Sequence, residues 1–267
     1  MGANISDGGN MSGQFEHILF RREGGVARIT LNHPPVNIMD IPTMGEIVAA
    51  LEALEGDTET KVVLFEATGK AFCAGVDVKD HTVDKVAGMV EVFHRIFRLM
   101  WALDVPTVAA VNGAALGGGC ELVTFCDLII ASEKATFGQP EIQVGVYPPV
   151  AAVTFPRLMP QMKAMELLLT GAVIDAAEAE RLGLVNKVVP AEGFEEEVAA
   201  FVGRLTSLSG AVLRLTKRAA LQGLTLPFEE ALRKSEDLYL NRLMKTEDAS
   251  EGLSAFMEKR KPVWKDK

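Results

Sequence analysis

Three consecutive glycines, Gly117, Gly118 and Gly119, stand between two apolar runs. Val108 to Val111 precedes them, and Cys120, Leu122 and Val123 follow, with Glu121 among them. A short apolar run, a glycine turn and a segment of helical spacing read as strand, tight turn and helix start. A helix N-terminus presents unpaired backbone N–H groups and the positive end of the helix dipole. Glycine has no side chain to keep an anion away from them. A second carboxylate, Glu141, follows in the run Gly138-Gln139-Pro140-Glu141. Residues 112–149 therefore offer oxyanion donors and two carboxylates, which are parts of an acid–base site.

The rest of the chain bounds what that site can serve. With 267 residues, 48% of them hydrophobic, the chain can build one large core, or one domain with an appendage. The formal net charge of −9 argues against nucleic acid or an anionic membrane as the main partner, since both select basic surfaces. A local basic patch for a phosphorylated ligand is still compatible with it. Cys73, Cys120 and Cys126 are odd in number and read as reduced thiols, which fits a cytoplasmic protein. No CxxC spacing occurs, and His17, His33, His81 and His94 form no cluster along the chain, so no metal site is expected. No signal peptide is recognisable, and the apolar runs are too short to cross a bilayer.

Residues 1–13, rich in Gly, Ser and Asn, are expected to be a disordered tail. Two strands, His17–Arg22 and Val26–Leu31, flank Gly24-Gly25 as a hairpin. Thr43, with Glu46 three residues on, predicts a capped helix to about Glu55. Val62–Glu66 is a short buried strand, and Ala71–Lys79 a loop centred on Gly75. Helical spacing covers Val83–Leu103, and Val105–Val111 is the next strand. Leu128–Ala131 and Thr136–Phe137 are extended. Helices are predicted from Pro149 to Leu158 and from Lys163 to Leu169, then a short one capped by Asp175. Val185–Val189 is a last strand. Beyond it the pattern is all helix, so the spacing divides a strand–helix core, 14–190, from a helical region, 191–267.

Each candidate residue has a plain structural reading beside the chemical one. The glycine turn lacks the Lys and Ser/Thr of a P-loop, so it serves tight strand–helix packing or an oxyanion, not a nucleotide phosphate. Glu121 could complement the helix dipole alone. Two converging carboxylates in apolar company would instead raise each other's pKa and suit proton transfer near neutral pH. Gly75 would let the Val76 N–H point into a cavity, and Asp77 could be an ordinary turn residue. His81 reads as a solvated loop residue or a pocket wall. Cys120 has no histidine at nucleophile–base spacing and reads as core.

The segments AFCAGVDVK, NGAALGGGCELVTFCDLIIA and FGQPEI, with the ending EGLSAFMEKRKPVW, resemble the crotonase, or enoyl-CoA hydratase/isomerase, superfamily from about Phe15 onward. The resemblance implies a spiral of ββα units with a C-terminal helical region that makes trimers, commonly paired into hexamers. It implies an acyl-CoA substrate, coenzyme A being part of that substrate and no separate cofactor being needed. Val76 and Gly118 would supply the two oxyanion N–H groups. The stretch Val76, Asp77, Val78 and Lys79, with Gly117 and Gly118, would contact the CoA thioester. Glu121 and Glu141 match the two catalytic carboxylates of true hydratases, so both being present favours a hydro-lyase. The basic end Lys259-Arg260-Lys261 reads as a solvated helix end, with contact to a ligand phosphate as the sharper alternative.

Two departures narrow the resemblance. Tyr147-Pro148-Pro149-Val150-Ala151-Ala152 stands where the family usually has a PGAGG-type helix entry, and Val36-Asn37-Ile38-Met39-Asp40 replaces an Asn-Ala-Leu-type segment. With VKDH at Val78–His81 and the ending DLYLNRLMKTEDASEGLSAFMEKR they look like the dienoyl-CoA hydratases of anaerobic benzoyl-CoA breakdown. Those enzymes convert cyclohexa-1,5-diene-1-carbonyl-CoA to 6-hydroxycyclohex-1-ene-1-carbonyl-CoA. The expectation is therefore a cyclic dienoyl-CoA hydratase. Its rivals are an ordinary short-chain enoyl-CoA hydratase and a non-catalytic binding protein on the same scaffold.

Overall fold

The computed structural model describes residues 15–267, so the expected tail, residues 1–13, lies outside the described residues. Two sheets run through the molecule. The larger contains β1 (Ile18–Glu23), β2 (Val26–Leu31), β3 (Val62–Ala67), β5 (Thr107–Val111), β7 (Leu128–Ser132) and β10 (Lys187–Val189), in that spatial order. Within it only β1 and β2 are antiparallel, joined by Gly24 and Gly25, both at positive φ, as a two-residue hairpin turn needs. The smaller sheet orders β4 (Ala71–Cys73), β6 (Ala114–Leu116), β8 (Thr136–Gly138) and β9 (Val173–Asp175). β3 passes into β4, β5 into β6 and β7 into β8, each pair followed by a helix. That repeat is the expected spiral of ββα units.

Buried parallel strands carry apolar residues on both faces, so each face needs a cover. Val63, Phe65, Ala109, Val111, Ile129 and Ala131 face one way, into the main core with α1 (Ile41–Glu52) and α2 (Val86–Ala102). Val62, Leu64, Val108, Ala110 and Ile130 face the other way, against Val198, Phe201 and Val202 of α7 (Phe194–Thr206). The strand–helix alternation ends near Pro190, yet α7 returns to the sheet. The remaining long helices are α8 (Gly210–Thr225), α9 (Phe228–Asn241) and α10 (Glu247–Glu258). They leave Leu224, Phe228, Tyr239, Leu240 and Phe256 exposed. Among the described residues, no single helix is long and apolar enough to cross a membrane.

Several boundaries differ from the sequence expectation. The cap of α1 is Asp40, not Thr43, and its side chain accepts the Thr43 N–H at 2.9 Å. Pro42 fits the first turn, where its missing N–H has no partner to lose, so the helix begins at Ile41. Glu46 closes no capping box. Its carboxylate accepts the N–H groups of Glu16, His17 and Ile18 and anchors the start of β1. α2 starts at Val86, and Val83 is left in solvent. β4, inside the expected loop Ala71–Lys79, and β6 and β9 have no counterpart in the sequence pattern, because three residues carry too little periodicity to register.

Candidate active site

β4, β6 and β8 lie side by side and parallel, pairing Ala71 with Ala114 and Leu116 with Gly138. Each strand is followed, two or three residues past its C-terminal end, by one component of the site: Val76, Gly118 and Glu141.

The three glycines are each held to a bare Cα by a different neighbour. Gly117 lies at φ +52, and a Cβ there would stand 2.7 Å from Glu141 Oε1. A Cβ on Gly118 would meet Val76 Cγ2 at 2.6 Å, and one on Gly119 would meet the Cys73 carbonyl oxygen at 2.7 Å. The turn thus packs the first helical residues of α3 (Gly118–Thr124) directly on the Val76 loop. That loop turns at Gly75, φ +118, and is tied to the chain ahead of α1. Met39 N–H donates to Gly75 O at 2.9 Å, and Asp77 N–H donates to Met39 O at 3.0 Å. The Val76 N–H between them and the Gly118 N–H have no acceptor among the described residues. Two free donors on touching segments are the arrangement that receives a developing oxyanion.

Glu121 sits in the first turn of α3 and is 2% exposed. Its Oε1 accepts the N–H groups of Val150 and Ala151, each at 2.8 Å, at the start of α4 (Pro149–Leu158). Pro149 occupies the first helical position and has no N–H, so the carboxylate engages the next two. Burial pushes the Glu121 carboxyl up to about 7. The Ala151 N–H opposes that shift and the Glu141 charge adds to it. Glu141, half-buried in the 3-10 turn Pro140–Val144, is also raised by burial, with its own N–H and the charge of His81 opposing.

Sequence reasoning misses Gln139, although it lies within the FGQPEI segment. It is fully buried. With its amide nitrogen turned to the acceptors, it donates to Glu141 Oε1 at 3.2 Å and to Gly117 O at 3.2 Å. A glutamine in an apolar run, two residues from a carboxylate, is the signal that could have found it. His81 falls in the turn Val78–His81, and its Nδ1 lies 3.0 Å from Asp77 O. It is half-buried, and its charge opposes the raising of Glu141. Asp77 caps that turn by accepting the Lys79 N–H at 2.9 Å, while Val78 and Lys79 are exposed on the rim. Cys120 is buried and its thiol is raised by burial, which leaves it core, not nucleophile.

Arg260 is held within its own chain by Glu251 and Glu258, at 2.6 Å each, while Lys259 ends α10 in left-handed backbone. His17 and His33, distant in sequence, stack with ring centroids 4.3 Å apart, so the histidines do form a pair in space. The hairpin aligns the two positions, which no linear spacing could show.

A spiral of ββα units with free N–H groups at its strand ends and two raised carboxylates beside them defines a class. Residues 21–267 match the family described as enoyl-CoA hydratase/isomerase, and the chain belongs to that family. It is similar to a probable enoyl-CoA hydratase of Mycobacterium tuberculosis, 39% identical over 93% of this chain and 97% of the relative. A cyclohexa-1,5-dienecarbonyl-CoA hydratase of Thauera aromatica is 36% identical over 94% of this chain and 96% of the relative. A crystal structure of an enoyl-CoA hydratase from Mycobacterium smegmatis superposes with a TM-score of 0.89 at 30% identity, covering 93% of this chain and 99% of that one. The identity to the generic hydratase exceeds that to the dienoyl enzyme, so overall similarity gives the family and not the acyl group.

Proposed function

We propose that this protein is an acyl-CoA hydratase that adds water across a conjugated enoyl thioester. The observation that carries the reading is the pair of raised carboxylates, Glu121 and Glu141, set beside the free N–H groups of Val76 and Gly118. The thioester oxygen accepts from those two N–H groups as it gains negative charge. Glu121, oriented by Val150 and Ala151, takes a proton from water as its oxygen bonds to the β-carbon. Glu141 delivers a proton to carbon. All atoms of the water end in the product, and no electrons leave or enter the pair of reactants.

The acyl group proposed is a cyclic diene, cyclohexa-1,5-diene-1-carbonyl-CoA, giving 6-hydroxycyclohex-1-ene-1-carbonyl-CoA. Its support is the YPPVAA turn, whose helix start holds Glu121, and the likeness to the Thauera enzyme. The second reading, an ordinary short-chain enoyl-CoA hydratase, is favoured by the higher identity to the Mycobacterium relative. Hydration rates on a panel holding crotonyl-CoA and the cyclic dienoyl-CoA separate the two. A chain with Tyr147–Ala152 replaced by a PGAGG-type turn should shift preference toward the linear substrate. An unchanged preference would refute the role of the turn. The exposed apolar residues of α8–α10 support self-association as a trimer or hexamer, which light scattering of the purified protein tests.

A further inference from the structure

Three potential ligands meet where the chain enters β1, leaves β2 and begins α1. They are His17, His33 and Asp40, all half-buried. The hairpin register pairs Ile18 with Leu31, and Asn32 N–H donates to His17 O at 2.9 Å. That alignment lays the two imidazoles together, 4.3 Å between centroids and 11° from parallel. Asp40 arrives from the cap of α1. One donor atom from each of the three lies within 4.8 Å of the other two.

The hydrogen bonds around the cluster prepare it for a cation. His33 Nδ1 lies 3.0 Å from Ile38 O. A carbonyl oxygen only accepts, so in the neutral ring Nδ1 carries the proton and Nε2 keeps its lone pair. Such a bond to a backbone carbonyl is the usual outer support of a metal-binding imidazole. The His17 ring has no hydrogen-bond partner among the described residues. Asp40 Oδ1 accepts the Thr43 N–H at 2.9 Å and its hydroxyl at 2.6 Å, while Oδ2 has no partner among the described residues.

We infer that His17, His33 and Asp40 form a binding site for a divalent first-row transition cation of the zinc type. Two imidazoles with one carboxylate suit borderline ions such as Zn²⁺, Ni²⁺ and Co²⁺ over Ca²⁺ or Mg²⁺, which take oxygen ligands. Zinc–nitrogen bonds of about 2.0 Å put tetrahedral ligand atoms roughly 3.3 Å apart, so the His17 ring would turn out of its stack with His33 to aim its lone pair at the shared ion. The ion would brace the active site from behind. Asp40 follows Met39, whose N–H and carbonyl grip the chain on either side of Val76.

The whole protein, treated with chelator, is titrated with Zn²⁺ and Co²⁺ by calorimetry. One ion per chain is expected, with X-ray absorption showing two nitrogen ligands at about 2.0 Å. His17→Gln and His33→Gln should each weaken binding at least about tenfold, whereas His17→Cys, which restores a ligand, should retain it. Zn²⁺ should raise the melting temperature of the wild type and not of the two glutamine variants. Melts without metal establish that each variant is folded. The His17 ring makes no hydrogen bond among the described residues, so His17→Gln keeps the test decisive even if His33→Gln unfolds. No saturable binding of one ion per chain, or binding unchanged in the folded His17→Gln variant, overturns the site.

Discussion

Replacing Glu121 by glutamine should stabilise the protein, and should do so more at high pH than at low. In the folded chain the carboxyl is 2% exposed and titrates at about 7, against 4.5 when unfolded. Between those values the folded state keeps a proton that the unfolded chain has released. Stability therefore falls as pH rises through this window, and the loss is complete above about 7. Each tenfold loss of acid strength on folding corresponds to about 1.4 kcal/mol, so the full cost of the carboxylate is about 3 kcal/mol. Linkage places about 1 kcal/mol of it already at pH 5.5 and nearly all of it at pH 8.5. Glutamine has the same shape, does not ionise in this range, and its oxygen can still accept from Val150 and Ala151. Urea unfolding of both proteins from pH 5.5 to 8.5 at fixed ionic strength measures the difference. The variant should be the more stable, with a margin widening by about 2 kcal/mol over that range. A margin that stays flat, or a variant less stable than wild type at pH 8.5, would refute a buried carboxyl with a raised pKa.

The same residue in kinetics should behave in the opposite sense. Glu121→Gln and Glu141→Gln are each expected to lower kcat by about 10²–10⁴-fold on the best substrate of the panel, with KM little changed. Hydration left intact in both would end the catalytic assignment. Gly117→Ala places a Cβ 2.7 Å from Glu141 Oε1 on backbone at φ +52. It should cost about 1–3 kcal/mol in denaturation and lower kcat, since the carboxylate must move. Gln139→Leu removes a donor to the charged form of Glu141, so that pKa should rise further. The limb of the pH–rate profile that requires protonated Glu141 should then move to higher pH, and an unmoved limb would count against the Gln139 contact.

Much of the larger sheet is legible in the sequence, because its strands are apolar runs bounded by turn residues. Val62–Ala67 and Leu128–Ser132 show this directly. The hairpin turn and the later helices follow from local chemistry in the same way, as Asp175 capping α6 (Ala176–Arg181) illustrates. What local chemistry cannot rank is competition between neighbours. Asp40 and Thr43 are both good caps, and Pro42 decides between them by fitting the turn that Asp40 begins. Glu46 is drawn away from its own helix by the N–H groups of a strand 28 to 30 residues distant. In the site, Glu121 and Glu141 stand out as charges in apolar company. Their convergence does not, nor does the part of Gln139, since both depend on β6 and β8 lying side by side. The stacked His17 and His33 escape for the same reason, being brought together by the hairpin register.

Val76, Gly118 and Glu141 follow the ends of three neighbouring parallel strands, β4, β6 and β8. Adjacent strands keep a spacing of about 4.8 Å whatever their side chains. The gap between the reacting parts is therefore ruled by the backbone ladder, as the intervals of a scale are fixed before any tune is written on it. A substitution at one strand end changes one note and leaves the others at their distance. On the function proposed above, the acyl group is then renegotiated at Tyr147–Ala152, outside the ladder, while the N–H groups of Val76 and Gly118 keep their spacing.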